Sequence, residues 1–196
     1  MSGDQTTDIR TIALHFFARC FLFPYEEMTY ELRDLFRQIE LLVDAYQNQL
    51  TSQDILIVLN AFQGEDIQDL RADYVFLFSN RDQSDPVCPM LAGEFCTRFA
   101  ISYDSGAFID ILYDDEFIPW EEESIDSVVN YLEYWASLCE PGKTELPSPV
   151  NLDKFLENHI SSWIPHFCQI LSKSANISFY RELGAALKQY ILSSVT

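Results

Sequence analysis

Apolar residues in this chain recur at three- and four-residue steps almost from end to end, while two-residue alternation is nearly absent. That periodicity confines the fold to packed helices, because strands need the shorter repeat. Ile9, Ile12, Ala13, Phe16, Phe17 and Cys20 place a buried helix over residues 6–22, stopped by Pro24. Leu32, Leu35, Phe36, Ile39, Leu42, Val43 and Tyr46 predict a second over 26–47. Thr51 with Asp54 fits a capping box ahead of Ile55, Leu56 and Leu59. After Gly64, a helix over 66–78 carries Ile67, Leu70, Tyr74, Leu77 and Phe78 on its apolar side.

The middle reads as looser. Ser79 to Pro89 is a loop by composition, a helix over 91–102 follows, and Asp104 to Glu123 reads as irregular around Gly106 and Pro119. Ile125, Val128, Val129, Leu132, Ala136 and Cys139 then form the cleanest amphipathic stripe, with Ser124 as N-cap and Asn130 and Glu133 away from the stripe. Pro141 to Pro149 reads as an exposed connection. Two helices over 151–174 and 177–193 close the chain, the first kinked or restarted by Pro165. The expected architecture is all-α, a single domain over 1–196 with eight or more helices.

Composition sets what such a bundle can bind. The chain has 31 Asp and Glu against 12 Lys and Arg, a net charge of -19. This excludes a nucleic-acid or anionic-membrane grip and favours cationic partners, although acidic surfaces also serve plain solubility. With 48% hydrophobic and 14% aromatic residues, the chain is too rich in buriable surface for an acidic disordered tail. The N-terminus resembles no signal peptide and no window reaches membrane-span length, so a cytoplasmic protein is expected. Cys20, Cys139 and Cys168 sit among apolar neighbours and read as buried hydrophobes.

Catalytic and cofactor signatures are missing. The six glycines form neither a dinucleotide nor a phosphate loop. His15, His159 and His166 do not pair with the cysteines at zinc spacing, and Cys88 and Cys96 fit no common metal signature. Asp110 to Glu116 lacks the register of a calcium loop. No enzyme activity, metal or cofactor is expected.

Two features remain. One is the acidic stretch from Asp110 through Asp114, Asp115, Glu116, Glu121, Glu122, Glu123 and Asp126. It is either a solvated loop or a rim that accepts arginines. The other is the Tyr74 to Met90 segment, whose aromatics beside a Pro-containing loop suit either a core or peptide capture.

Four stretches resemble the TorD/DmsD/NarJ family of cytoplasmic molybdoenzyme maturation chaperones. Leu70 to Phe78 resembles the family's helix ending in Tyr-x-x-Leu-Phe, followed by a Pro-containing loop, here with Pro86 and Pro89. Phe155 to Phe167 resembles its Leu-x-x-His-Leu-x-x-Trp-x-x-x-Phe helix, and Asn176 to Leu183 its continuation. Leu22–Phe23–Pro24 suits its first helix and stop. The family's Glu-Pro-x-Asp-His hallmark aligns with Glu123 to Ser127, which keeps Glu123 and Asp126 but has Ser124 for the proline and Ser127 for the histidine.

The resemblance implies a chaperone that binds the N-terminal leader, often twin-arginine, and the apo form of a molybdenum oxidoreductase. Such a chaperone assists cofactor insertion and holds back export until folding is complete. It implies a leader site with carboxylates from Glu121, Glu122, Glu123 and Asp126 beside Ser127. An apolar groove would come from Tyr74, Leu77, Phe78, Pro86, Pro89 and Met90. The implied partners are the apo-enzyme catalytic subunit with its signal peptide, and molybdenum-cofactor delivery proteins. Family members are monomers or domain-swapped dimers, and Pro141 to Pro149 is the candidate hinge. Two rivals stay open: a permanent accessory subunit of an oxidoreductase complex, and a metal-dependent all-α hydrolase.

Overall fold

The computed structural model describes residues 3–46, 49–79, 85–120, 123–140 and 151–194. They form ten α-helices and one π-helical turn, with no strand longer than a single bridge among the described residues. Helix α1 (Gly3–Cys20) ends four residues before Pro24, and α2 (Met28–Tyr46) and α3 (Gln49–Gly64) follow. Because α3 already runs at Gln49, Thr51 is inside it rather than its N-cap. Helix α4 (Ile67–Phe78) is capped by Asp66, whose carboxylate accepts from Gln68 N–H at 2.7 Å.

The central segment corrects the expectation of irregular chain. After α5 (Ala92–Arg98), a full helix α6 (Ser105–Asp114) forms where Gly106 and the acids masked its pattern. Asp104 caps it by accepting from Gly106 N–H at 3.0 Å, and the i, i+4 pair Phe108 and Leu112 is buried. Both short helices end with a residue in the left-handed region, Ala100 (φ 54°) and Glu116 (φ 52°). Ile101 N–H donates to Cys96 O and Phe117 N–H to Leu112 O, each at 2.9 Å. This closes both ends as Schellman motifs without glycine.

Helix α7 (Val128–Cys139) begins three residues later than the apolar stripe suggests, with Ser127 rather than Ser124 as N-cap. Ser127 Oγ accepts from Asn130 N–H at 3.5 Å. Helix α8 (Leu152–Phe155) runs into a π turn at Leu156–Ile160, where Ser161 N–H donates to Leu156 O at 2.8 Å. The chain breaks at Trp163 and restarts as α9 (Ile164–Ser174) with Pro165 in its first turn. The last helix is α10 (Ser178–Ser194).

Helix α1 packs against α2 and α7, α3 against α2 and α10, and α9 against α10. The core is aromatic: Trp135, Trp163, Tyr131, Tyr134, Tyr180, Phe16, Phe17 and Phe95 are among its fully buried members. Phe78 meets Phe167 nearly parallel and Tyr180 edge-on. All five cysteines are buried free thiols, and burial pushes Cys20, Cys88 and Cys168 upward. Helices α9 and α10 approach closely at Gly184, where an added Cβ would lie 2.7 Å from the Cys168 carbonyl oxygen. Even alanine there would force the two helices apart. The hinge candidate at 141–149 lies outside the described residues.

Candidate functional site

The hallmark stretch is built into the structure by backbone. Leu91 and Ser127 form an isolated antiparallel bridge. Ala92 N–H donates to Asp126 O and Val128 N–H to Met90 O, both at 2.9 Å. Asp126 turns its side chain inward and accepts from Gly93 N–H at 3.2 Å, serving α5, whose own N-cap Leu91 has no capping side chain. Asn130 is fully buried, not on the polar face. Its Oδ1 accepts from Trp120 N–H and its Nδ2 donates to Ser124 O, both at 3.0 Å. Trp120 and residues 124–127 are thereby tied to α5 on one side and α7 on the other.

A cleft of about 550 Å³ opens where this loop faces the end of α1, the start of α2 and α4. Trp120, Glu123 and Tyr74 are among its lining residues. The Arg19 guanidinium carbon lies 3.9 Å from the Trp120 ring centroid, a cation–π contact. Arg19 Nε stands 4.0 Å from Glu31 Oε2, which itself accepts from the Tyr25 hydroxyl at 2.6 Å. Phe23, half-exposed, meets Tyr74 edge-on at 5.3 Å and lies 5.8 Å from the Arg71 guanidinium. Arg71 Nε also donates to Pro24 O at 2.9 Å, fixing the turn after α1. Burial, with the Glu123 charge behind it, holds the Tyr74 hydroxyl above the usual phenol range.

The expected site residues divide between this cleft and the body of the protein. Tyr74 and Glu123 come together in the cleft. Leu77 has no exposed surface, Phe78 is buried behind Tyr74, and Pro86 and Pro89 are buried, with Met90 partly so. Ser127 is fully buried as a helix cap. Glu121 and Glu122 lie outside the described residues. Asp115 belongs to neither a solvated rim nor the cleft, being buried and accepting a hydrogen bond from the Tyr134 hydroxyl.

A family model for the nitrate reductase delta subunit matches residues 26–169. The chain belongs to that family. The match spans α2 through most of α9 and so includes Glu31, Tyr74, Trp120 and Glu123 of the cleft. No curated protein matches the chain. The delta-subunit family is the NarJ branch of the TorD/DmsD/NarJ chaperones, non-catalytic cytoplasmic proteins that mature redox enzymes during molybdoenzyme assembly. The all-helical fold agrees with it. No helix among the described residues is long and apolar enough to cross a membrane. Nor do three or more His, Cys, Asp or Glu side chains cluster there to hold a metal.

Several residues that shape this family member have partners that no local pattern reveals. Asp73, inside the Leu70 to Phe78 motif, is buried and accepts from Asn176 N–H (3.1 Å), Asn176 Nδ2 (2.7 Å) and Ile177 N–H (3.2 Å). Glu65 accepts from Ser178 N–H at 2.9 Å. Together they cap α10 from across the fold. His159 hydrogen-bonds the Tyr103 hydroxyl at 3.0 Å, and that hydroxyl meets the Tyr131 hydroxyl at 2.8 Å. Burial lowers the His159 pKa against the opposing pull of Asp104. Arg19, Glu31 and Trp120 could be assigned to the cleft only once α1, α2 and the loop were placed together.

Proposed function

We propose that the cleft beside α1 and α4 receives the N-terminal segment of an apo-molybdoenzyme catalytic subunit, a twin-arginine leader or its equivalent. The chaperone holds that segment while cofactor is inserted and export is delayed. The observation that carries this reading is the meeting of Tyr74 and Glu123, distant in sequence, in one cleft with a second carboxylate, Glu31. A basic segment followed by apolar residues needs carboxylates next to ring faces, and the net charge of -19 steers it in. Glu123 and Tyr74 touch the leader, Phe78 packs behind Tyr74, and Leu77, Pro86, Pro89 and Met90 belong to the body of the protein. Asp126 and Ser127 hold the loop in shape, and Glu121 and Glu122 precede Glu123 in sequence.

Titration of the client's N-terminal peptide by calorimetry tests the assignment. Glu123→Gln should weaken binding roughly tenfold or more, since a charge-assisted hydrogen bond contributes about 1.5–3 kcal/mol. Tyr74→Leu should weaken it less. Affinity unchanged in both variants would sink the assignment. The word "subunit" in the family's description favours a second reading, permanent membership of the reductase. Stoichiometric recovery of this chain with the mature, cofactor-loaded enzyme would favour it, and loss of the chain on cofactor loading would favour the chaperone.

A further inference from the structure

The cleft already contains a guanidinium. Arg19 projects from the last turn of α1 and lies against the face of Trp120 at 3.9 Å. Its second contact is poor. The 4.0 Å separation from Glu31 is too long for the two-pronged hydrogen bonding that a carboxylate offers an arginine. Glu31 Oε2 is moreover engaged by the Tyr25 hydroxyl. One side chain occupies a small part of a cleft of about 550 Å³ whose walls also carry Glu123 and Tyr74.

We propose that Arg19 is a resident competitor, and that an arginine of the incoming client replaces it on the Trp120 ring. Binding is then an exchange of one guanidinium for another. This rests on the leader-binding reading of the cleft and adds the ring that receives the arginine and the internal group that opposes it. Arginine is selected over lysine because its planar group stacks on an indole face while its edge remains free to pair with a carboxylate. The competitor also has a use. A charge of -19 attracts every cationic segment, and an occupied ring admits only those that gain elsewhere in the cleft what the exchange leaves even.

The tryptophans supply the readout. Trp135 and Trp163 are sealed in the core, whereas Trp120 is partly exposed, so a ligand-dependent change in emission that vanishes in Trp120→Phe reports on this ring. The probe is acetyl-Arg-Arg-Leu-Leu-amide, with the Lys-Lys and Gln-Gln peptides as comparisons. Arg19→Gln should bind the arginine peptide roughly tenfold more tightly, as expected when a site masked by a cation–π contact is freed. Arg19→Lys should fall between. In Trp120→Leu, followed by calorimetry because the reporting ring is gone, the preference for arginine over lysine should disappear. Unchanged or weaker binding in Arg19→Gln would overturn the exchange, as would arginine preference surviving in Trp120→Leu or no peptide binding to any form. A client that binds wild type and Arg19→Gln equally well overturns the exchange and leaves the leader reading intact. Peptide binding tightened in Arg19→Gln, with no binding of the client's own N-terminus, does the opposite.

Discussion

Around Phe78, aromatic rings meet other rings. Phe21, Tyr74, Phe167 and Tyr180 all lie within 6.5 Å of it, centroid to centroid. Around Trp120 and Phe23, rings meet guanidinium groups, Arg19 on the first and Arg71 near the second. Tyr74 belongs to both regions, edge-on to Phe23 on its open side and edge-on to Phe78 on its closed side. The difference is one of solvent. Sealed rings gain from burial and from one another, so their contribution is stability. Rings that keep an open face attract cations, and here internal guanidinium groups hold those faces until a client can exchange for them. One residue class therefore holds the fold together in the first region and remains available for recognition in the second.

The contrast can be broken most forcefully at Phe167, which touches Phe21, Phe78, Phe95 and Trp163. Phe167→Ala should cost about 3–5 kcal/mol in denaturant unfolding, while client affinity of the folded fraction stays the same. Asp73→Ala comes next. It leaves the N–H groups of Asn176 and Ile177 without their acceptor and should cost about 2–3 kcal/mol. A midpoint no lower than wild type would show that the buried carboxylate is dispensable.

Acid should reveal the His159 network as belonging to the stability side of the comparison. Because burial depresses the folded-state pKa, the unfolded chain takes up a proton first as pH falls below about 6.5. Stability should be level above that pH and decline below it until the folded-state pKa is passed. His159→Gln should flatten this slope in thermal scans between pH 7 and 5. The smallest effect on stability is expected at the cleft. Trp120→Leu should change it by less than about 1 kcal/mol while weakening an arginine-bearing peptide several-fold. A large loss of stability there would show that Trp120 belongs with the sealed rings.

Helix type and order were readable from periodicity, because most helices here bury one broad stripe. The exceptions have physical causes. Helix α6 hides behind Gly106 and its acids because only Phe108 and Leu112 face inward fully. Asn130 reads as a surface residue, yet it is buried to hold two backbone groups of the preceding loop. Ser124 and Ser127 are equally good caps by type, and the Leu91–Ser127 bridge decides between them. The cleft was half legible. Tyr74 and Glu123 came from motif resemblance, but Glu31, Trp120 and Arg19 meet through packing of distant segments that no local pattern encodes.

Asp73 also has a consequence for how the chain is made. The carboxylate is supplied by α4, and the donors that compensate its burial sit at the start of α10. During synthesis α4 emerges with this acid and no partner for it, and it cannot settle into its final place until the start of α10, 103 residues further on, has left the ribosome. In this maturation chaperone the seating of α4 is thus timed by the arrival of α10.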